Sequence, residues 1–226
     1  MAAALFSGQG VERYAEGPPR QVPGFHDLQR MVAMLLAESM PPDARVLVLG
    51  AGGGLELKAF AEAEPQWTFD GVDPSADMLT LARRVVGAHA ARVRFHEGTI
   101  AAAPAGPFDG ATSLLTFHFI AREARLATLR QVRERLRRGA PFVLAHISFA
   151  QHEPHRSRAI ARHIGFGAAG APDPSQIAAF ARAIDDKVLT ILPPEVEEDL
   201  LHAAGFAGVA LFYAAFGFRG WVAYAD

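Results

Sequence analysis

The sequence contains no cysteine among its 226 residues. It can therefore form no disulfide, and it offers no thiol nucleophile, thiolate metal site or cysteine redox switch. A chain of this length can bury a core large enough to fold without cross-links. The absence of cysteine thus excludes several kinds of chemistry without arguing against a stable globular fold.

The sequence also lacks an excess of charge of either sign, because 22 Lys and Arg residues stand against 24 Asp and Glu residues. With a net charge of −2 and no basic field, nucleic acid and anionic membranes are not expected partners. The longest run without Asp, Glu, Lys, Arg or His spans residues 203–218. It is shorter than the roughly 18 to 20 residues of a membrane-spanning helix. The first ten residues lack the cationic start of a signal peptide, so we expect a soluble, cytoplasmic protein.

Short apolar runs alternate with stretches of helical periodicity along most of the chain. Runs without polar alternation are typical of strands buried on both faces, and they predict seven strands at residues 45–50, 66–72, 93–96, 110–117, 142–147, 209–214 and 220–224. Parallel strands need crossover helices, so the alternation predicts a doubly wound, Rossmann-like α/β sheet. The last two runs are joined by a short connection, which makes the last strand antiparallel.

We expect a single domain over residues 1–226 with four parts. Residues 1–42 form an N-terminal arm and a helix, and residues 43–148 form the cofactor-binding core. Residues 149–192 break the strand–helix alternation and predict a helical cap, and residues 193–226 add a helix and a hairpin. Because the arm and the cap are the least patterned parts, we expect them to determine substrate specificity.

The densest functional signal is a glycine loop where the first strand meets the next helix, formed by Gly50, Ala51, Gly52, Gly53 and Gly54. Glycine lets the backbone approach a ligand, and ligands in such sheets bind at the carboxyl ends of the strands. A dinucleotide fingerprint needs a glycine at the sixth position, where this chain has Leu55. The spacing therefore favours the loop that methyltransferases use for S-adenosylmethionine.

A second signal is Asp73, which ends the second predicted strand. Its carboxylate can accept hydrogen bonds from both hydroxyls of a ribose. Alternatively, Asp73 only initiates the turn at Pro74 and caps the following helix.

The glycine loop followed by the segment 73–79 (DPSADML) resembles the class I S-adenosylmethionine-dependent methyltransferases. Within them, segments 22–25, 116–120 and 201–206 are similar to the carboxy-S-adenosylmethionine synthases of the tRNA wobble-uridine pathway. In this resemblance Asp73 holds the ribose, Thr99 and Ile100 flank the adenine, and Phe25 folds over the cofactor or packs on its own helix. The motifs and the resemblance together predict cofactor contacts at Gly50, Ala51, Gly52, Gly54, Asp73, Pro74, Met78, Gly98, Thr99, Ile100, Leu115 and Phe25.

The chain also departs from the synthase pattern. Where the synthases have an arginine for the extra carboxylate, this chain has Leu200 beside acidic residues. We therefore expect ordinary S-adenosylmethionine as the cofactor. A carboxy-S-adenosylmethionine synthase, a nicotinamide-dependent oxidoreductase and a non-catalytic cofactor-binding protein stay open as alternatives. Methyltransferases that use a cysteine nucleophile, such as those acting at carbon 5 of pyrimidines, are excluded.

His118, just beyond the fourth predicted strand, is the candidate catalytic residue. An imidazole titrates near neutrality and can act as a general base, although His118 could instead be a packed core residue. No metal is expected, because Pro154 separates His152 and His155 and arginines follow them. The expected partner is an unidentified small-molecule acceptor of methyl, and the resemblance implies a homodimer.

Overall fold

The computed structural model describes residue 11, residues 14–168, residue 171 and residues 173–226. The first ten residues of the predicted arm, its residues 12 and 13, and residues 169, 170 and 172 of the predicted cap lie outside the described residues.

One seven-stranded sheet organises the described chain. Its strands are β1 (Arg45–Leu49), β2 (Thr68–Asp73), β3 (Val93–Glu97), β4 (Gly110–Leu114), β5 (Pro141–Ile147), β6 (Phe206–Ala215) and β7 (Phe218–Ala225). Their order is β3-β2-β1-β4-β5-β7-β6. The first five strands are parallel, and β7 is antiparallel to both β5 and β6. The predicted fold class, including the antiparallel last strand, is confirmed.

Helices cover both faces of the sheet. They are α1 (Gly17–Gln21), α2 (Phe25–Ala37), α3 (Leu55–Ala63), α4 (Ala76–Val86), α5 (Arg122–Glu134), α6 (His155–Gly167), α7 (Pro174–Asp185) and α8 (Pro194–Ala203). The core on one face contains Val46 and Val48 of β1 with side chains of α2 and α3, and the core on the other contains Leu47 and Leu49 with side chains of α5 and α8. Burial on both faces explains why β1 is an uninterrupted apolar run.

The predicted strand 110–117 is wrong at its end, because β4 stops at Leu114. Leu115 has a φ of +57°, a left-handed conformation that side chains rarely adopt and that ends the extended run. Residues Phe117–Phe119 then form a turn of 3₁₀-helix. The turn places this segment across the carboxyl edge of the sheet.

The arm and the predicted cap lie at the same carboxyl edge. An ion pair between Arg156 and Asp185, at 2.6 Å, joins α6 to α7. The Tyr213 hydroxyl donates a hydrogen bond to the carbonyl oxygen of Pro23, at 2.5 Å, which ties the arm to β6. Within the described ranges, none of the helices combines the length and the apolar character needed to cross a membrane.

Candidate functional site

A cleft opens where β1, β2 and β4 end, and we call it the glycine-loop cleft. The structure brings together most of the residues predicted to contact the cofactor, and those lining the cleft are Phe25, Gly50, Ala51, Gly52, Asp73, Pro74, Met78 and Leu115. They come from α2, from the glycine loop, from the end of β2 with α4, and from the turn after β4. The parallel register of β1 with β2 and β4 explains why these separate segments meet at one edge.

Close packing explains two of the loop's glycines. Gly50 has a φ of +79°, and a Cβ there would overlap the side chain of Thr116. Gly54 has a φ of +80°, and a Cβ there would lie 2.8 Å from the Cα of Ala82, so this glycine lets α3 approach α4. Gly54 therefore shapes the loop from outside the residues that line the cleft.

Asp73 is positioned by backbone donors. Gly52 N donates to its Oδ2 at 3.0 Å, and Ser75 N donates to its Oδ1 at 2.9 Å. Burial raises the pKa of the Asp73 carboxyl, and these two hydrogen bonds partly offset that rise. The carboxylate thus organises the turn into α4, as one interpretation of the sequence predicted, while also lining the cleft.

Two polar side chains of the cleft were not predicted from the sequence. Glu56 on α3 and Gln29 on α2 are only 7% and 4% exposed, and Glu56 Oε1 and Gln29 Nε2 have no hydrogen-bond partner among the described residues. Burial, followed by repulsion from Asp73, raises the pKa of Glu56 well above its usual range. A glutamine on the apolar face of α2, beside Leu28 and Val32, was the signal available in the sequence.

Tyr14 of the arm covers the glycine loop. A Cβ built on Gly53 would lie 2.8 Å from Cδ1 of Tyr14, and one built on Gly52 would lie 3.5 Å from its hydroxyl oxygen. Burial, followed by the carboxyls of Glu56 and Asp73, raises the pKa of the Tyr14 hydroxyl, which therefore stays protonated. The sequence offered no pattern that would have singled out this tyrosine.

The electrostatic character of the cleft is acidic. Its only ionisable groups apart from Tyr14 are the carboxyls of Glu56 and Asp73, and no Lys, Arg or His is among the described residues that line it. A buried carboxyl without a cation beside it favours a positively charged ligand. The anionic pyrophosphate of a dinucleotide finds no cationic side chain among those residues.

Besides Gly54, three predicted contacts are not among the residues that line the cleft. Gly98 N donates to the carbonyl oxygen of Asp73 at 3.0 Å, which places the end of β3 next to β2. Thr99 is exposed, and Ile100 is buried in the core cluster that includes side chains of α5 and α8. The roles of these residues at the adenine stay predictions.

His118 lies in a second cavity, which we call the cap cavity. The cap cavity shares Tyr14, Pro18, Leu115 and Phe119 with the glycine-loop cleft. His118 is only 5% exposed, and Ile147 N donates to its Nδ1 at 3.5 Å. Burial, followed by the charges of Arg125 and His163, lowers the pKa of His118 to about 3. Its role as a general base stays a prediction.

The histidines of the predicted cap do not form a metal-like cluster. The rings of His152 and His155 meet edge to face at 4.8 Å. In the part of the chain that the structure describes, no three His, Asp or Glu side chains come together as a metal ion would require.

The model of a family described as "Methyltransferase domain" matches residues 46–139, from β1 to the turn before β5. Curated relatives include carboxy-S-adenosyl-L-methionine synthases. That of Campylobacter curvus is 25% identical over 126 residues, and the match spans 56% of this chain but only 54% of the relative. That of Aeromonas salmonicida is 23% identical over 222 residues, which span 96% of this chain and 90% of the relative.

Solved structures share the fold. A chain in the complex between the Haloferax volcanii Trm112 methyltransferase activator and a methyltransferase superposes with a TM-score of 0.69 at 17% identity. The match covers 100% of this chain and 98% of that one. The matched domain and the similarity to the synthases support a class I S-adenosylmethionine-dependent methyltransferase, and the solved structure supports the same fold.

Proposed function

We propose that the glycine-loop cleft binds S-adenosylmethionine through the carboxyl groups of Glu56 and Asp73. The protein would then transfer the methyl group of this cofactor to a small molecule. Asp73 would accept hydrogen bonds from the ribose, and Glu56 with Gln29 would bind the polar amino-acid end of the cofactor. Gly50, Ala51 and Gly52 would let the backbone approach it, while Met78, Leu115 and Phe25 would supply apolar contacts. Bound S-adenosylmethionine supplies a methyl group on a sulfonium, which is already a good leaving group.

The observation that carries this proposal is the pair of unsatisfied buried atoms, Glu56 Oε1 and Gln29 Nε2. Buried polar atoms are rarely left without a partner, so a ligand with a donor and an acceptor fits here. An amino acid has both, as an ammonium and a carboxylate. The acidic lining also suits a cofactor with positively charged groups.

The residues of the chain would act mainly by binding and alignment. Holding two reactants in line removes much of the entropic cost of a bimolecular step. With its pKa lowered to about 3, His118 is uncharged at neutral pH. Since its Nδ1 accepts from Ile147 N, the ring hydrogen lies on Nε2. We therefore expect His118 to act as a hydrogen-bond donor rather than as the predicted general base.

The three alternative functions that the sequence left open are less well supported than this proposal. A synthase of carboxy-S-adenosylmethionine needs a cation for the extra carboxylate, whereas Leu200 packs against the core and the described cleft lining carries no arginine. A nicotinamide enzyme must hold a pyrophosphate, which the acidic cleft disfavours. A non-catalytic protein would bind the cofactor but transfer nothing. The cytoplasmic location and the homodimer stay predictions of the sequence.

Isothermal titration calorimetry of the full chain with S-adenosylmethionine, S-adenosylhomocysteine and NAD⁺ would test the proposal. We expect both sulfur compounds to bind and NAD⁺ to show no heat. Binding of NAD⁺ without either sulfur compound would overturn the proposal. Tight cofactor binding, with no methyl transfer across a broad panel of acceptors, would instead support the non-catalytic alternative.

The Glu56→Gln variant tests the amino-acid end specifically. Losing a buried carboxylate opposite an ammonium should weaken S-adenosylhomocysteine about 10-fold or more. Because the folded-state pKa of Glu56 is raised, the free protein loses stability as pH rises, and Glu56→Gln should reduce that loss. Glu62→Gln, exposed on the same helix, is the control. Equal affinities for Glu56→Gln and the wild type would contradict this role.

A further inference from the structure

The cap cavity is built by the arm, the cap and the sheet edge together. Gln21 and Val22 come from the arm, and Ile164, Phe180 and Leu189 come from the cap. Ile147 and Phe218 contribute from the edge of the sheet. The cavity therefore lies where the least patterned segments of the chain meet the end of the glycine-loop cleft.

The chemistry of this cavity differs from that of the cleft. Its described lining contains no Asp, Glu, Lys or Arg, and its polar side chains are those of Tyr14, Gln21, His118 and His163. The other side chains are aliphatic or aromatic. A mostly apolar cavity with a few polar groups is the usual form of a site for a small molecule.

His163 carries an unsatisfied polar atom at this cavity. Its Nδ1 is buried and has no hydrogen-bond partner in the part of the chain that the structure describes. Its ring packs against Phe180 and Phe218, with centroids 4.6 and 5.4 Å apart. The aromatic neighbours hold the imidazole of this cavity-lining residue in place, and with it the unsatisfied nitrogen.

Both histidines of the cavity are neutral at physiological pH. Burial lowers the pKa of His163 to about 4, and burial, followed by the nearby charge of Arg125, lowers that of His118 to about 3. A charged ligand here would lose its hydration without gaining an ionic partner, which costs several kcal/mol. The cavity therefore disfavours carboxylates and phosphates.

We propose that the cap cavity binds the methyl acceptor and that the acceptor is an uncharged aromatic hydroxyl compound, with its ring against Phe180 and Phe218 and its hydroxyl on His163 Nδ1. The assignment as acceptor rests on the proposed function of the neighbouring cleft. Tyr14, Pro18, Leu115 and Phe119 line both spaces, so the cap cavity lies next to the glycine-loop cleft.

The implied reaction is an O-methylation with a simple balance. A bond forms between the hydroxyl oxygen and the methyl carbon as the carbon–sulfur bond breaks and its electron pair stays on sulfur. The hydroxyl proton leaves to solvent water, so no oxidant, reductant or metal is required. The products are an aryl methyl ether, S-adenosylhomocysteine and a proton.

Two phenols that differ only at one end test the inference: 4-propylphenol and 3-(4-hydroxyphenyl)propanoate. Each is titrated into the full chain by calorimetry, with and without saturating S-adenosylhomocysteine, and is then assayed for transfer of radiolabelled methyl. We expect 4-propylphenol to bind at least about 10-fold more tightly, because the carboxylate must be buried unpaired. Equal affinities, or tighter binding of the carboxylate, would overturn the inference.

Two variants localise the binding. Ile164→Arg adds a cation at the cavity wall and should reverse the preference in favour of the carboxylate. Phe166→Arg, which adds the same charge to the same helix at a position outside the cavity lining, is the control and should leave the preference unchanged. His163→Phe keeps a ring but removes the nitrogen, and it should weaken 4-propylphenol about 5-fold.

The outcomes separate this inference from the proposed function. Binding of S-adenosylhomocysteine without binding of either phenol would refute the acceptor class and leave the cofactor site standing. Preferential binding of 4-propylphenol without S-adenosylhomocysteine binding would support the cavity chemistry but refute its role beside a cofactor. A preference that persists unchanged in both Ile164→Arg and His163→Phe would place the phenol elsewhere and overturn the inference.

Discussion

The glycine-loop cleft and the cap cavity share a wall at Leu115 and Phe119, yet their linings have opposite character. The cleft holds the buried carboxyl of Glu56 and the partly buried carboxyl of Asp73, and the described residues that line it include no Lys, Arg or His. The cap cavity has no charged side chain in its described lining. Adjacent spaces with these two chemistries suit a charged cofactor on one side and an uncharged acceptor on the other.

The two regions also differ in how they are built. The cleft is formed largely by short turns after parallel strands, where the sheet fixes the geometry. The cap cavity depends on contacts between segments distant in sequence, such as Tyr213 with Pro23 and Arg156 with Asp185. Because different interactions hold the two regions, substitutions should be able to weaken one region and spare the other.

The largest expected effect comes from Arg125→Leu, which should weaken the attachment of the cap to the rest of the protein. The fully buried Arg125 pairs with Glu197 and donates to the carbonyl oxygens of Thr190 and, at 3.2 Å, of Ile120. Removing it leaves a buried carboxylate unpaired, which should lower the free energy of unfolding by about 3 to 5 kcal/mol. Urea denaturation followed by circular dichroism would measure this loss.

The control for that experiment is Arg122→Leu, an exposed arginine one turn earlier on the same helix. We expect it to change the free energy of unfolding by no more than about 0.5 kcal/mol. At a temperature where the Arg125→Leu variant is still folded, that variant should bind S-adenosylhomocysteine nearly as tightly as the wild type does. Equal destabilisation by the two variants would show that Arg125 does not anchor the cap.

Asp73→Asn should instead damage the cleft and spare the cap cavity. The amide keeps one acceptor oxygen but loses the charge that strengthens hydrogen bonds to a ribose, so we expect S-adenosylhomocysteine to bind about 10- to 100-fold more weakly. Calorimetry would measure the affinity. Glu97→Gln, exposed at the register position beside Asp73, should have no effect. Unchanged affinity in Asp73→Asn would contradict the ribose role.

The sequence predicted the cleft better than the cavity for a physical reason. Buried parallel strands leave local patterns, such as the apolar run of β1, and close approaches leave glycines, such as Gly50 against Thr116. Apolar runs and glycines can both be recognised within a few consecutive residues of the sequence. Asp73 was found in the same way, because it ends a strand next to a proline.

The features that were missed depend on tertiary contacts. Glu56 looks like an ordinary polar residue in the first turn of a helix, and only the fold buries its carboxyl beside Asp73. Tyr14 reaches the glycine loop from the arm. The left-handed turn at Leu115, which ended β4 three residues early, breaks the usual preference of leucine for extended or helical backbone.

A smaller effect is expected on the pH dependence of the free energy of unfolding, and it comes from His163 in the cap cavity. The folded-state pKa of His163 is about 4, below its value of 6.5 in the unfolded chain. The unfolded state therefore binds more protons between these values, and stability should fall as pH drops from 6.5. We expect this histidine to account for about 1 to 2 kcal/mol between pH 6.5 and 4.5.

His163→Phe would test that contribution, since it removes the titrating group and keeps a ring between Phe180 and Phe218. Its free energy of unfolding, measured by urea denaturation at pH 6.5 and 4.5, should fall less on acidification than that of the wild type. His155→Phe, exposed at the start of the same helix, should fall as the wild type does. Parallel curves for His163→Phe and the wild type would show that folding does not lower the pKa of His163.

The smallest expected effect on either cavity comes from Leu211→Glu, which tests the predicted homodimer. β6 is the last strand in the sheet order, and Leu211 on it is 51% exposed. An exposed apolar edge strand favours pairing with another chain, and a charge there opposes it. Light scattering should show a dimer for the wild type and for Met34→Glu, a comparably exposed site on α2, but a monomer for Leu211→Glu. Because Leu211 lines neither the cleft nor the cap cavity, the affinities for cofactor and acceptor should not change in Leu211→Glu. A monomeric wild type would show that the homodimer prediction is wrong.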